Sequence, residues 1–195
     1  MPLRDRLARI LAERSARRGH FTLASGRHST LYIDARLTAM SPDGLSLIGP
    51  IGLAALIEST WDVDSIGGLT LGADPISYAI SYASASTSIP LRAFTVRKEA
   101  KLHGTGKLIE GPFRASDRVA IVEDVITTGA SALRAVEAVR AAGATVVGVL
   151  ALVDREEGGR EAIEETGLPV ISLVSATQIL SLLNDESAPP NQEDS

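Results

Sequence analysis

The segment Glu123-Asp124-Val125-Ile126-Thr127-Thr128-Gly129-Ala130-Ser131 sets two adjacent carboxylates ahead of a hydroxyl-rich turn. Where such a turn opens a helix, free backbone N–H groups and the positive dipole end favour a phosphate monoester, and Thr127, Thr128 and Ser131 add hydroxyl donors. The carboxylates suit sugar hydroxyls. A ligand carrying a phosphate at one end and a ribose diol beside it would satisfy both halves. The turn has neither a Gly-Lys-Ser/Thr ending nor Gly-x-Gly-x-x-Gly, which disfavours a nucleoside triphosphatase or a nicotinamide dehydrogenase. The residues alone leave a second reading open, in which the hydroxyls cap a helix and the carboxylates are loop residues. Capping explains one hydroxyl. It does not explain two carboxylates directly after a buried strand, where charge is costly unless water, a cation or a ligand meets it.

A second concentration of chemistry lies upstream. Sixteen of the 19 cationic residues are arginine, and the only lysines, Lys98, Lys101 and Lys107, fall within ten consecutive positions. The stretch from Arg97 to Lys107 also holds His103, a single carboxylate at Glu99, and Gly104 and Gly106, which loosen the backbone. It lacks a sustained apolar face, so it reads as a mobile loop. Ammonium groups on flexible stems suit a moving polyanion. A solvated charge run is the other reading that composition allows.

The elements that must position these groups follow from apolar patterning. Residues 119–122 and 146–153 are continuous apolar runs, as strands covered on both faces require, and between them residues 131–142 carry Ala, Leu and Val at helical spacing. Ser131 near the start and Gly143 at the end are the expected caps. This is a βαβ unit, so its strands should be parallel and its crossover right-handed. Upstream, residues 63–69 and 91–96 read as strands, and 42–58 and 76–86 as helices. Gly72 with Asp74-Pro75 marks the loop between the first of those strands and its helix. Strands alternating with helices predict an open α/β sheet, with ligands at the carboxyl ends of its strands. Residues 21–36 mix turn residues with a β-prone stretch at 31–33, predicting a small irregular subdomain. Leu3, Leu7, Ile10 and Leu11 fall at helical spacing among arginines, which predicts an amphipathic docking helix and no signal peptide.

The 195 residues, 45% hydrophobic and 22% charged with 17 glycines, describe one globular domain over residues 1–183. The acidic, proline-containing residues 184–195 lack apolar anchors and are expected to be disordered. With no cysteine, disulfides, thiol nucleophiles and Cys-based metal sites are excluded, and a reducing cytoplasm suits the chain. A net charge of −5 argues against nucleic-acid binding through a basic surface, and no apolar run is long enough to span a bilayer.

The 123–131 segment resembles the phosphoribosyl-pyrophosphate (PRPP) motif of the type I phosphoribosyltransferases. Phe21-Thr22-Leu23-Ala24-Ser25-Gly26, Tyr32-Ile33-Asp34, Arg97-Lys98-Glu99-Ala100-Lys101-Leu102-His103-Gly104, Ile109-Glu110-Gly111 and Asp154-Arg155 narrow the resemblance to the orotate phosphoribosyltransferases. The resemblance implies the type I phosphoribosyltransferase fold, an open mostly parallel sheet flanked by helices, with a small N-terminal hood of about residues 1–36 plus part of the C-terminal region. It implies transfer of phosphoribosyl from PRPP to N1 of orotate, giving orotidine 5′-monophosphate and pyrophosphate in de novo pyrimidine (UMP) synthesis. Mg²⁺ is carried by PRPP, with no direct metal ligand, and active sites are shared in a homodimer. Glu123 and Asp124 would hold the ribose hydroxyls and residues 127–131 the 5′-phosphate, so that the PRPP site takes in Val125, Ile126, Gly129 and Ala130 as well. Leu71-Gly72 would line the pyrophosphate loop, and Arg97, Lys98, Lys101 and His103 would reach the pyrophosphate. Lys101, His103 and Asp124 would be the catalytic groups. Tyr32, Ile33, Thr127 and Arg155 would contact orotate. Without the resemblance, Arg155 beside Glu156 and Glu157 reads as a surface ion pair.

The chain departs from the family pattern at three positions. Ala24 stands where a basic residue is frequent, Gly72 where some members carry lysine, and Ala130 where many have glycine; alanine there costs roughly a kcal/mol only if φ is positive. Two other readings remain at this level: a transferase for another base, and a PRPP-binding regulator without catalysis.

Overall fold

The computed structural model describes residues 1–22, 28–99 and 108–185. The segment holding Ala24, the one holding Lys101, His103 and Lys107, and residues 186–195 lie outside them.

The chain opens with α1 (Leu3–Ile10), prolonged by a wider turn over Leu11–Ser15. Leu7 and Leu11 are fully buried, whereas Leu3, expected on the same apolar face, lies more than half exposed one turn beyond the contact. An antiparallel ribbon follows, β1 (Ala16–Thr22) with β2 (His28–Ile33), irregular between Arg18 and Phe21. After the short α2 (Arg36–Ala39), α3 (Pro42–Glu58) begins on a side-chain cap. The Ser41 hydroxyl accepts from the Gly44 N–H at 3.1 Å, and Pro42 occupies the first helical position, where its missing N–H costs nothing.

The main sheet contains β3 (Ser65–Leu69), β4 (Arg92–Val96), β5 (Ile109–Glu110), β6 (Arg118–Ile126), β7 (Thr145–Asp154) and β8 (Val170–Ser175), in the order β5-β4-β3-β6-β7-β8. Only β5 runs antiparallel. The connecting helices are α4 (Ala73–Ser84), α5 (Ala130–Ala141) and α6 (Gly159–Glu164), and α7 (Ala176–Asp185) closes the described chain.

The continuous apolar runs are explained by two cores on opposite faces of this sheet. Val119 and Ile121 of β6, with Val149 and Ala151 of β7, pack with Val136 and Val139 of α5. Their alternates, Ala120, Val122, Leu150 and Leu152, pack with Ile48 and Ile51 of α3 and Ile76 and Ile80 of α4. Both faces are covered, so the central residues of these strands, 119–122 and 149–153, are all apolar, and polar residues fall toward the strand ends.

Two expectations are corrected. Residue 131 does not cap α5, because the chain turns earlier: Gly129 sits before the helix at φ 77°, and no side chain caps the first turn. Asn184 and Asp185 belong to helix, not to a tail. Leu180, Leu182 and Leu183 pack against the core, and Arg18 of β1 donates to the Asn184 side chain and the Leu180 carbonyl, which anchors the helix end.

Candidate active site

β6 extends to Ile126, so Glu123 and Asp124 lie within the strand, neither directly after it as expected nor in a loop as the other reading had them, and Glu123 stands level with Ala151 in the sheet. Both line a cavity of about 270 Å³ at the carboxyl ends of β3 and β6. Glu123 also borders a second, smaller cavity formed by residues 125–132, the turn into α5. The carboxylate pair and the hydroxyl turn thus open onto adjoining spaces, as a sugar phosphate requires.

Glu123 is 8% exposed, and its Oε2 is buried with no hydrogen-bond partner. Burial, then the neighbouring Asp124 carboxyl, pushes its pKa up to about 9. A buried polar atom without a partner is costly, and a ligand hydroxyl would supply what is missing. Asp124 Oδ1 accepts from the Val125 N–H at 2.9 Å.

The turn after β3 forms another part of the wall through Thr70, Leu71 and Gly72. A Cβ on Gly72 would lie 2.2 Å from Asp124 Oδ2, so no side chain fits there without displacing the carboxylate. Asp74, nearly buried, accepts from the Thr70 hydroxyl at 2.7 Å and the Thr95 hydroxyl at 2.8 Å. Thr95 in turn accepts from the Tyr78 hydroxyl, 2.8 Å away. This chain of bonds ties the turn to α4 and β4. Asp74-Pro75 reads as a loop in the sequence, but both residues lie in the first turn of α4, and nothing local distinguishes a loop carboxylate from one that clamps a turn.

At the end of β4 the cations diverge. Lys98 lines the main cavity, while Arg97 donates from Nε to Glu110 Oε1 at 3.0 Å. Tyr32 and Ile33 line the cavity from the ribbon side. Arg155 follows β7 and is buried, with Nη2 donating to the Leu31 carbonyl at 2.8 Å and to Glu157 at 2.6 Å. The surface ion-pair reading of Arg155 is therefore wrong. The bond to Leu31 ties it to β2, the strand that carries Tyr32 and Ile33, and it does not itself line the cavity. Asp34 and Arg36 also line the cavity and were not read from the sequence as site residues. Ala130 has no positive φ, because Gly129 takes the left-handed position, so the departure there is harmless.

A scan of the chain against models of protein families finds no match. Known proteins do resemble it. The orotate phosphoribosyltransferase of Aquifex aeolicus is 47% identical over 180 residues, 91% of this chain and 97% of that protein. Among solved structures, that of Mycobacterium tuberculosis H37Rv orotate phosphoribosyltransferase in complex with Fe(III) dicitrate has a TM-score of 0.79 at 42% identity, covering 91% of this chain and 99% of that one. The same enzyme in complex with PRPP matches with a TM-score of 0.75 at 40% identity, again over 91% and 99%. Sheet order, carboxylate pair and phosphate turn together define a type I phosphoribosyltransferase. Within that class, the chain belongs to the orotate phosphoribosyltransferase family.

Proposed function

We propose that the protein transfers the phosphoribosyl group of PRPP to N1 of orotate, releasing pyrophosphate and orotidine 5′-monophosphate, a step of de novo pyrimidine synthesis. The observation that carries this reading is the pair of adjoining cavities, one lined by Glu123 and Asp124 and the other by the turn into α5, with Glu123 common to both. In it, the ribose hydroxyls donate to the two carboxylates. The 5′-phosphate sits against the N–H groups and hydroxyls of residues 127–131, where the helix dipole favours an anion.

As the bond from C1 to the diphosphate breaks and the N1–C1 bond forms, positive charge develops on the ribose and negative charge on the departing diphosphate. Asp124 stabilises the former. Lys98, with Arg97, Lys101 and His103 of the segment that follows β4, stabilises the latter. Water must be kept from the sugar, which a segment closing over the cavity would accomplish. Orotate lies against Tyr32 and Ile33 with Thr127 beside it, and Arg155 meets its carboxylate by exchanging Glu157 for it, since the guanidinium is otherwise held by Glu157 and the Leu31 carbonyl.

Mg²⁺ carried by PRPP would supply charge neutralisation at the diphosphate, and the Asp124 carboxylate, an oxygen donor lining the cavity, would suit a hard cation beside it without ligating it directly. The active unit is a homodimer. An apolar groove of about 440 Å³ between α3 and α4, lined by Leu45, Pro50, Tyr78, Ala79 and Tyr82, supports pairing of two copies. No helix among the described residues is long and apolar enough to cross a membrane, and together with the absence of cysteine this supports a cytoplasmic enzyme.

Pyrophosphate release from PRPP, measured with orotate, uracil, hypoxanthine and adenine offered separately, tests the reading. Release with orotate alone is expected. Release with another base in place of orotate would make the protein a sister transferase, and release with none would remove catalysis.

A further inference from the structure

Arg36 is a charged group of the cavity to which the roles above give no task. It opens α2 and lines the same cavity as Asp124, Gly72 and Lys98. Its Nε and Nη2 donate to the two oxygens of Asp34 at 2.8 and 2.9 Å, and the Arg36 backbone N–H donates to Asp34 Oδ1 at 3.2 Å. One edge of the guanidinium is thereby fixed. The other edge, made of Nη1 and the second N–H of Nη2, points donors away from Asp34 in a plane that an oxyanion can meet at two points. The side chain is 48% exposed against 20% for Asp34, so the held partner is the more buried and the fork the more open. Asp124 lines the same cavity, and its charge adds to that of Asp34 in favouring the charged guanidinium.

The cavity is short of positive charge. Among the described residues that line it, Arg36 and Lys98 are the only cations, against the carboxylates of Asp34 and Asp124 and the carboxyl of Glu123, which burial keeps protonated. The Thr70–Gly72 turn cannot provide another, because Gly72 leaves no room for a side chain beside Asp124. A diphosphate entering such a cavity meets carboxylates first unless a fixed cation stands close to them.

We propose that Arg36, oriented by Asp34, binds the diphosphate of PRPP and of the pyrophosphate product. Asp34 is a positioning residue, since it acts only through the orientation of the guanidinium. The proposal rests on the reading given under Proposed function, and its test separates from that reading.

The test titrates pyrophosphate with Mg²⁺ into the full chain by calorimetry, for the wild type, Arg36→Ala, Arg36→Lys and Asp34→Asn. KM for PRPP, KM for orotate and the melting temperature are measured on the same samples. Arg36→Ala should weaken pyrophosphate at least tenfold and raise KM for PRPP by a similar factor, leaving KM for orotate within twofold. Arg36→Lys should recover part of the loss, because it restores charge without the fork, and Asp34→Asn should weaken pyrophosphate to an intermediate degree. Unchanged pyrophosphate affinity in Arg36→Ala, with or without a fall in melting temperature, would overturn the proposal. So would a rise in KM confined to orotate, which would assign the guanidinium to the base carboxylate. If Arg36→Ala does not fold, unchanged affinity in both Arg36→Lys and Asp34→Asn overturns it equally. A wild type that binds pyrophosphate but fails to consume orotate would instead defeat the functional reading and leave the role of Arg36 standing.

Discussion

Glu123 sits in the site at a cost to stability. Its folded pKa is raised from 4.5 to about 9, so above pH 4.5 the unfolded chain releases a proton that the folded chain keeps, and stability falls as pH rises toward 9. Glu123→Gln removes the titration and turns a carboxyl facing Asp124 into an amide donor. Its melting temperature should exceed that of the wild type at pH 8 and fall less between pH 5 and 9; for a chain of this size each kcal/mol relieved is worth about 2–4 °C. Calorimetric scans across that range would contradict the assignment if both proteins had the same slope. The stabilised variant should bind PRPP less tightly, since one of the two carboxyl oxygens is replaced by an amide NH2 that cannot accept. Lys101→Ala belongs to the same scale. It should fold as the wild type does and slow turnover by orders of magnitude, and wild-type turnover would remove Lys101 from the mechanism. Residue types alone were informative here in unequal measure. Adjacent carboxylates before a hydroxyl turn carry their meaning locally, whereas Arg36 and Asp74 are ordinary charges until α2 brings Arg36 to the cavity and α4 sets Asp74 against the Thr70 turn that lines it.

The turn between β6 and α5 depends on Gly129, at φ 77° and with Gly159 and Ile163 packed around it. An added Cβ would stand 2.8 Å from the Gly159 carbonyl oxygen, so Gly129→Ala meets both a backbone penalty of about 1 kcal/mol and a steric one. It should lower the melting temperature by several degrees and weaken PRPP, both measurable on the purified variant; a wild-type melting temperature would show that the turn needs no glycine. The strands and helices of the βαβ unit could be read closely from apolar runs, because burial on both faces forbids polar residues there. Where they end could not. β6 continues through Glu123 and Asp124 because backbone pairing with β7 does not depend on side-chain polarity, so the carboxylates are part of the carboxyl end of a central strand. The cap at residue 129 was missed for a related reason, since a left-handed glycine leaves no hydroxyl signature.

At the scale of the whole molecule, α1, α3 and α4 cover one face of the sheet, and the α3–α4 groove leaves Tyr82 85% exposed. Tyr82→Glu should convert a dimer to a monomer in light scattering and lower turnover with it, while a dimer of undiminished mass would place the interface elsewhere. The acidic residues 186–195 offer no large apolar side chain, only Ala188, Pro189 and Pro190, so removing them should leave the melting temperature unchanged, and a fall of several degrees would give them a structural role. The overall architecture followed from alternation of apolar runs and helical spacing, but the order of the strands did not, since strand order depends on which helices pack together across the sheet. The account depends most on Asp124 facing a bound ribose. The direct measurement is the loss of orotate absorbance in the presence of PRPP and Mg²⁺, run side by side for the wild type and Asp124→Asn with melting temperatures matched. Steady consumption by the wild type and a rate lower by orders of magnitude in the variant is the expected result; equal rates, or no consumption by either, would contradict it.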